Sequence, residues 1–123
     1  MNLSQLQINE LIKGIQLTAE LPSGAPSNRR FVTVAGYAEE NGMAKKLDKR
    51  IYPKKSDEVI FWLRDFEISD EYIKNHWDTA ESDLINSYFI NGIRGIAALE
   101  VELVKHIDDF SLLIPDWETE NPV

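Results

Sequence analysis

The segment PSGAPSN, residues 22–28, constrains the fold of this chain more than any other. It holds two prolines, a glycine, two serines and an asparagine, and neither a helix nor a central strand runs through such a run of turn formers. The chain on its two sides must therefore form two elements that meet across a turn. On the N-terminal side Ile15, Leu17, Ala19 and Leu21 alternate with Gln16, Thr18 and Glu20, the period of a half-buried strand. On the other side Phe31, Val32, Thr33, Val34 and Tyr37 have strand preference, and Gly36 marks a bulge or a close backbone approach. An antiparallel hairpin of 15–21 with 31–38 is expected.

Before that hairpin, Ser4 is placed to cap a helix whose apolar residues Leu3, Ile8, Leu11, Ile12 and Ile15 share one face, with Gly14 as its stop. Residues 15–21 could also extend this helix, which is the all-α alternative. Residues 39–55 read as a polar connector ending at Pro53, which disfavours helix at Tyr52. Helix-start signals then recur three times: Ser56-Asp57-Glu58 before VIFWLRDF, Ser69-Asp70-Glu71 before YIKNHW, and Thr79 with Glu81 and Asp83 before LINSYFI. VIFWLRDF would be the apolar body of the first, with a buried strand of the same letters as the alternative, and three such starts in a row favour helices. The two glycines of NGIRG, residues 91–95, mark a kink or turn, after which Ile96, Leu99, Leu103 and Ile107 lie on one helical face. Phe110, Leu112, Leu113 and Ile114 should dock, and the polar tail beyond them should fray. The fold class expected is α+β, with an N-terminal helix, a β-hairpin and a mainly helical C-terminal half. At 123 residues and 43% hydrophobic, the chain suits one domain spanning 1–123.

Charge is laid out unevenly. Residues 1–55 carry nine Lys/Arg against five Asp/Glu, and residues 56–123 carry four against sixteen, balances of +4 and −12 that sum to the net −8. Such a layout bears on partners and steering and leaves the fold open. KKLDKRIYPKK, residues 45–55, gathers six basic side chains but a single aromatic, Tyr52. A nucleic-acid surface would need stacking aromatics and a basic domain around it, so nucleic-acid binding through 45–55 is an alternative and a solvated connector is the expectation. With no cysteine, disulfides, thiolate zinc sites and a cysteine nucleophile are excluded, which suits a reducing compartment. The N-terminus lacks a basic stretch followed by an unbroken apolar one, and nowhere do about 18 apolar residues run together. A soluble cytoplasmic protein with no membrane association is expected.

No catalytic motif stands out. His76 in NHWD and His106 in VKHIDD lack a second histidine at helical metal spacing, so no metal is expected. Asp78 or Asp108 could orient either imidazole as a general base, but no serine sits in a glycine-flanked elbow. SGAPSN and NGIRG lack the lysine of a phosphate loop, and adjacent carboxylate pairs point in different directions; neither a cofactor nor an enzyme activity is expected. What remains is an acidic stretch with aromatics Phe66, Tyr72 and Trp77. Its carboxylates, Asp65, Glu67, Asp70, Glu71, Asp78, Glu81 and Asp83, assisted by Asp108, Asp109 and Asp116, are the candidate partner-binding residues, because carboxylates steer a basic partner while aromatics supply desolvated anchors.

Small, acidic, cysteine-free and without catalytic motifs, the chain resembles in general character the bacterial immunity proteins, including those of contact-dependent growth inhibition. That resemblance implies a non-catalytic inhibitor that binds a cognate toxin domain, often a basic nuclease, and occludes its active site. The alternative within binding modules is a secretion-type chaperone, which would dimerise around an extended client segment.

Overall fold

A computed structural model describes residues 2–47 and 59–123. Helix α1 (Gln5–Ile12) opens on a reciprocal cap, with Ser4 accepting from the Gln7 amide and the Gln7 side chain accepting from the Ser4 amide. Strands β1 (Leu17–Leu21) and β2 (Asn28–Glu40) form the antiparallel hairpin across the 22–28 turn, with Leu17 opposite Val34 and Leu21 opposite Arg30. Strand β2 then turns directly into β3 (Met43–Lys46) through Asn41 and Gly42, both at positive φ, 53° and 77°. Asn-Gly in a two-residue hairpin is the sequence best suited to that backbone. The connector expected over 39–55 is therefore a strand and a tight turn as far as Lys46; residues 48–58, including most of the basic stretch and the Ser56 start signal, lie outside the described residues.

The mainly helical C-terminal half does not exist, and neither does the all-α alternative. VIFWLRDF enters strand β4 (Ile60–Ser69), which pairs β2 along its length from Tyr37–Ile60 to Asn28–Ser69. LINSYFI and NGIR form strand β5 (Ile85–Arg94), paired only with β4 among the described residues. One six-stranded antiparallel sheet results, in the order β5-β4-β2-β1-β6 with β3 beside β2, where β6 (Ile114–Pro115) is a two-residue strand on the outer edge of β1. Of the helix-start signals, Ser69-Asp70-Glu71 opens only the five-residue α2 (Asp70–Lys74), and Thr79 to Asp83 leads into a single 3₁₀ turn over Glu81–Asp83. Capping residues satisfy a first turn and cannot propagate it when the following residues are β-branched or aromatic and a sheet edge is waiting.

NGIRG is no helix kink. Register shifts in the β4–β5 ladder fall opposite Trp62 and Phe66, at the two places where β5 takes positive φ, Gly92 at 76° and Asn86 at 50°. These are β-bulges, each fitting an extra residue into the edge strand. The chain then enters α3 (Ile96–Leu103), whose Leu99 and Leu103 are buried with Ile107, as the helical spacing implied.

Helices α1 and α3 lie over the same sheet face. Leu11 from α1 and Leu99 and Leu103 from α3 share one core with Leu17 and Ala19 of β1, Val32 and Val34 of β2, and Phe61 and Leu63 of β4. A smaller cluster on the opposite face puts Phe31, Phe66 and Ile68 under Ile73 of α2. The last residues do not fray: Asp116 accepts from Thr18 Oγ1 at 2.6 Å and from Asn121 Nδ2 at 2.8 Å, and Glu120 reaches Arg29 at 3.2 Å. Among the described residues no helix is long and apolar enough to cross a membrane.

Candidate protein-binding surface

The ten candidate carboxylates are not brought together. Asp65 is committed to the interior: its side chain is 13% exposed, it accepts from Arg30 Nε and Nη2 at 2.9 and 2.6 Å, and His106 Nδ1 donates to it at 2.8 Å. Burial pushes its carboxyl up, but the Arg30 and His106 hydrogen bonds outweigh that and hold it below its ordinary value. Glu67 accepts from the Ser23 hydroxyl and from Asn86 Nδ2, bonds that hold it low as well. Asp70 pairs with Lys74 at 2.6 Å and faces Arg29 at 3.7 Å. Asp83 accepts from the Tyr72 hydroxyl at 3.0 Å and from the Ala80 amide at 2.8 Å. Asp109 caps the 3₁₀ turn at Ser111, which holds its carboxyl low, and Asp116 is tied to Thr18 on the sheet face opposite Asp65. Glu71, Asp78, Glu81 and Asp108 are exposed, without an ion pair among the described residues.

Asp65 belongs instead to a network that sequence spacing does not announce. His106 is oriented by Asp65, forty-one positions away, and not by Asp108; its other ring nitrogen faces Glu102 at 3.7 Å, one helical turn back. Glu102 in turn accepts from the Tyr88 hydroxyl at 3.1 Å and pairs with Lys105 at 3.2 Å, and the Tyr88 and His106 rings lie 5.0 Å apart. With a carboxylate facing each ring nitrogen, His106 serves as a tie between β4 and the end of α3, and no nucleophile is presented to it. His76 is exposed in the turn that ends α2, at φ 52°.

Of the three aromatics expected as anchors, Phe66 is core and Tyr72 half-buried. Trp77 is 49% exposed and stands edge-on to Tyr72, ring centroids 5.2 Å apart at 88°. Beside it a shallow cavity of about 280 Å³ is bounded by Ile73, His76 and the C-terminal Glu120, Asn121 and Pro122. The carboxylates Glu71, Asp78 and Glu81 leave the same short stretch of chain into solvent. An exposed aromatic with a concavity beside it, in a stretch that also exposes carboxylates unpaired among the described residues, has the composition of an anchor that a basic surface can approach.

Comparison of the chain with protein-family models, with curated proteins and with solved structures yields no match. Among the described residues no group of three or more His, Asp or Glu is arranged to hold a metal ion.

Proposed function

We propose that the chain is a non-catalytic, protein-binding inhibitor of the immunity type, acting in the cytoplasm of a bacterium on a toxin domain whose active-site surface is basic. The observation that supports this reading is the half-exposed Trp77, edge-on to Tyr72 beside a cavity, in a stretch of chain that also exposes Glu71, Asp78 and Glu81. A half-exposed aromatic offers a large apolar contact, and exposed carboxylates in the same stretch raise the encounter rate with a cationic surface. A nuclease presents such a surface because it must bind phosphate. Asp65, Glu67, Asp70, Asp83, Asp109 and Asp116 have internal duties, so the role passes to Glu71, Asp78 and Glu81, which share a stretch of chain with Trp77. Asp108, also exposed and unpaired among the described residues, lies outside that stretch.

The test is protection against the toxic product of an adjacent gene. Co-expression of the wild-type chain should restore growth, and Trp77→Ala should abolish protection while leaving the circular dichroism and thermal transition unchanged. Reversing Glu71, Asp78 and Glu81 to lysine should slow association with the purified toxin domain by about tenfold or more at low salt, with a loss that shrinks as salt rises. Unchanged protection by both variants would place the binding surface elsewhere.

A further inference from the structure

A concavity of about 520 Å³ lies away from Trp77, between α1 and residues 109–118. Its walls are pinned to each other. The Gln7 amide of α1, buried itself, donates to Phe110 O at 2.7 Å and Leu113 O at 3.0 Å, so the groove is built before any ligand arrives. Two apolar side chains are left open to solvent along it, Leu6 at 69% and Ile114 at 40% exposure. Three carboxylates line it, Glu10, Asp109 and Glu118, one from each of three separate segments, and among the described residues no lysine or arginine does. None of the three has an ion pair among the described residues.

A second concavity, about 270 Å³, shares Ile114 and Glu118 with the first and carries on past Thr18 and Glu120 along the outer edge of the sheet. Two hollows joined at common residues suit a length of chain, not a single side chain or a small molecule. An apolar floor selects apolar side chains, and a rim with three carboxylates and no cation among the described residues selects lysine or arginine beside them. We infer that this groove takes an extended segment of a protein partner in which apolar and basic residues alternate. The inference rests on the reading of the chain as a protein binder, and names a second point of contact distinct from Trp77. Alternation matters because successive side chains of an extended segment point to opposite sides, so one set can enter the Leu6–Ile114 floor while the other meets the rim.

The probe is the nonapeptide KLKVKLKVK, blocked at both ends, titrated into the isotope-labelled full chain and followed by amide chemical shifts; ELEVELEVE is the control. Saturable shifts centred on Leu6, Glu10, Ser111, Ile114 and Glu118 are expected with the basic peptide and none with the acidic one. The double variant Glu10→Gln/Glu118→Gln, which removes charge without touching an internal bond, should weaken binding about threefold to tenfold, and Trp77→Ala should leave it unchanged. Absence of saturable shifts, shifts centred on Trp77, or equal affinity for the double variant would each overturn the inference. The two readings fail separately: protection lost in Trp77→Ala with peptide binding intact supports both, whereas protection by the wild type with no peptide binding removes the groove and leaves the inhibitor reading standing.

Discussion

Asp65 accepts both hydrogen bonds of the Arg30 fork and a third from His106, and its carboxyl is held below its ordinary value in consequence. A carboxyl whose folded pKa is depressed contributes stability that is present above the unfolded value, about 3.9, and is lost as pH falls through the folded one. Asp65→Asn should therefore destabilise the chain by about 2 kcal/mol near pH 7, and the gap to the wild type should close below about pH 4. Urea unfolding across pH 3–7 checks this; a gap independent of pH would mean that shape, and not charge, is what the substitution removes. Gln7 makes a second residue-scale case. Its amide donates to two main-chain carbonyls of the 110–113 turn, Phe110 O, which also accepts from the Leu113 amide at 3.1 Å, and Leu113 O. Gln7→Glu keeps the acceptor that caps Ser4 but removes the donors, so it should cost about 2–4 kcal/mol at pH 7 and recover partly at pH 4, where a protonated carboxyl can donate again. A Gln7→Glu transition that does not shift with pH would sink this account. Neither residue could be picked out in the sequence, because the partners that give each its role lie 35 to 106 positions away.

At the scale of elements, what could be read ahead of the structure was whatever carries its own boundary signal. Ser4, the 22–28 turn and the Leu99–Leu103–Ile107 spacing each act within a few residues, and each has its counterpart in the fold. Strands β4 and β5 were misjudged for different reasons. Strand β4 is central, so Phe61 and Leu63 face one core while Ile60, Phe66 and Ile68 are buried on the other side, and an apolar run covered on both faces loses the alternation that identifies a strand. Strand β5 is an edge with two bulges, which break its period near Asn86 and Gly92. In β3, the Asn41-Gly42 turn was present in the letters, but lysines on its far side hid the strand they belong to. Gly36, a bulge or a close approach by its sequence, is the latter: a Cβ there would meet Val59 Cγ1 at 2.7 Å and Phe61 Cε1 at 3.1 Å, whereas one on Gly92 would meet nothing within 4 Å. Gly92→Ala should then cost only the positive-φ penalty, about 1 kcal/mol, while Gly36→Ala, at an ordinary φ, should cost about 1–3 kcal/mol through displaced core side chains. Thermal melts of the two variants decide it, and the reverse order would show that β4 yields more easily than its packing implies.

Over the whole molecule, the +4 and −12 halves of the sequence do not remain two poles. Strand β2 carries Arg29 and Arg30 against the acidic half, where Arg29 meets Asp70 and Glu120 and Arg30 meets Asp65, while Arg29 also pairs with Glu20 of its own half. Folding thus gives some carboxylates a cation or a hydrogen-bond donor and leaves Glu71, Asp78, Glu81 and Asp108 exposed without an ion pair among the described residues, which is why the candidate surface could be read in the sequence by composition but not by residue. Charge density along the chain says nothing about which carboxylates a neighbouring strand will neutralise. Exposed lysines such as Lys13, Lys45 and Lys46 temper the surface charge, yet the chain keeps a net charge of −8, and the self-repulsion of that excess works against the compact state. The exposed pairs that salt would weaken, Lys74–Asp70 and Lys105–Glu102 among them, contribute only about 0–1 kcal/mol each. Raising ionic strength from about 0.01 to 0.15 M shortens the Debye length from about 30 to 8 Å, which screens repulsion acting across the molecule more than attraction acting at contact distance. The melting temperature should accordingly rise by about 2–5 °C over that range, and rise less in a Glu71→Gln/Asp78→Gln/Glu81→Gln variant, which starts with three fewer negative charges. A melting temperature that fell with added chloride would mean that local ion pairs, the Arg29 and Arg30 clusters first, outweigh the long-range field.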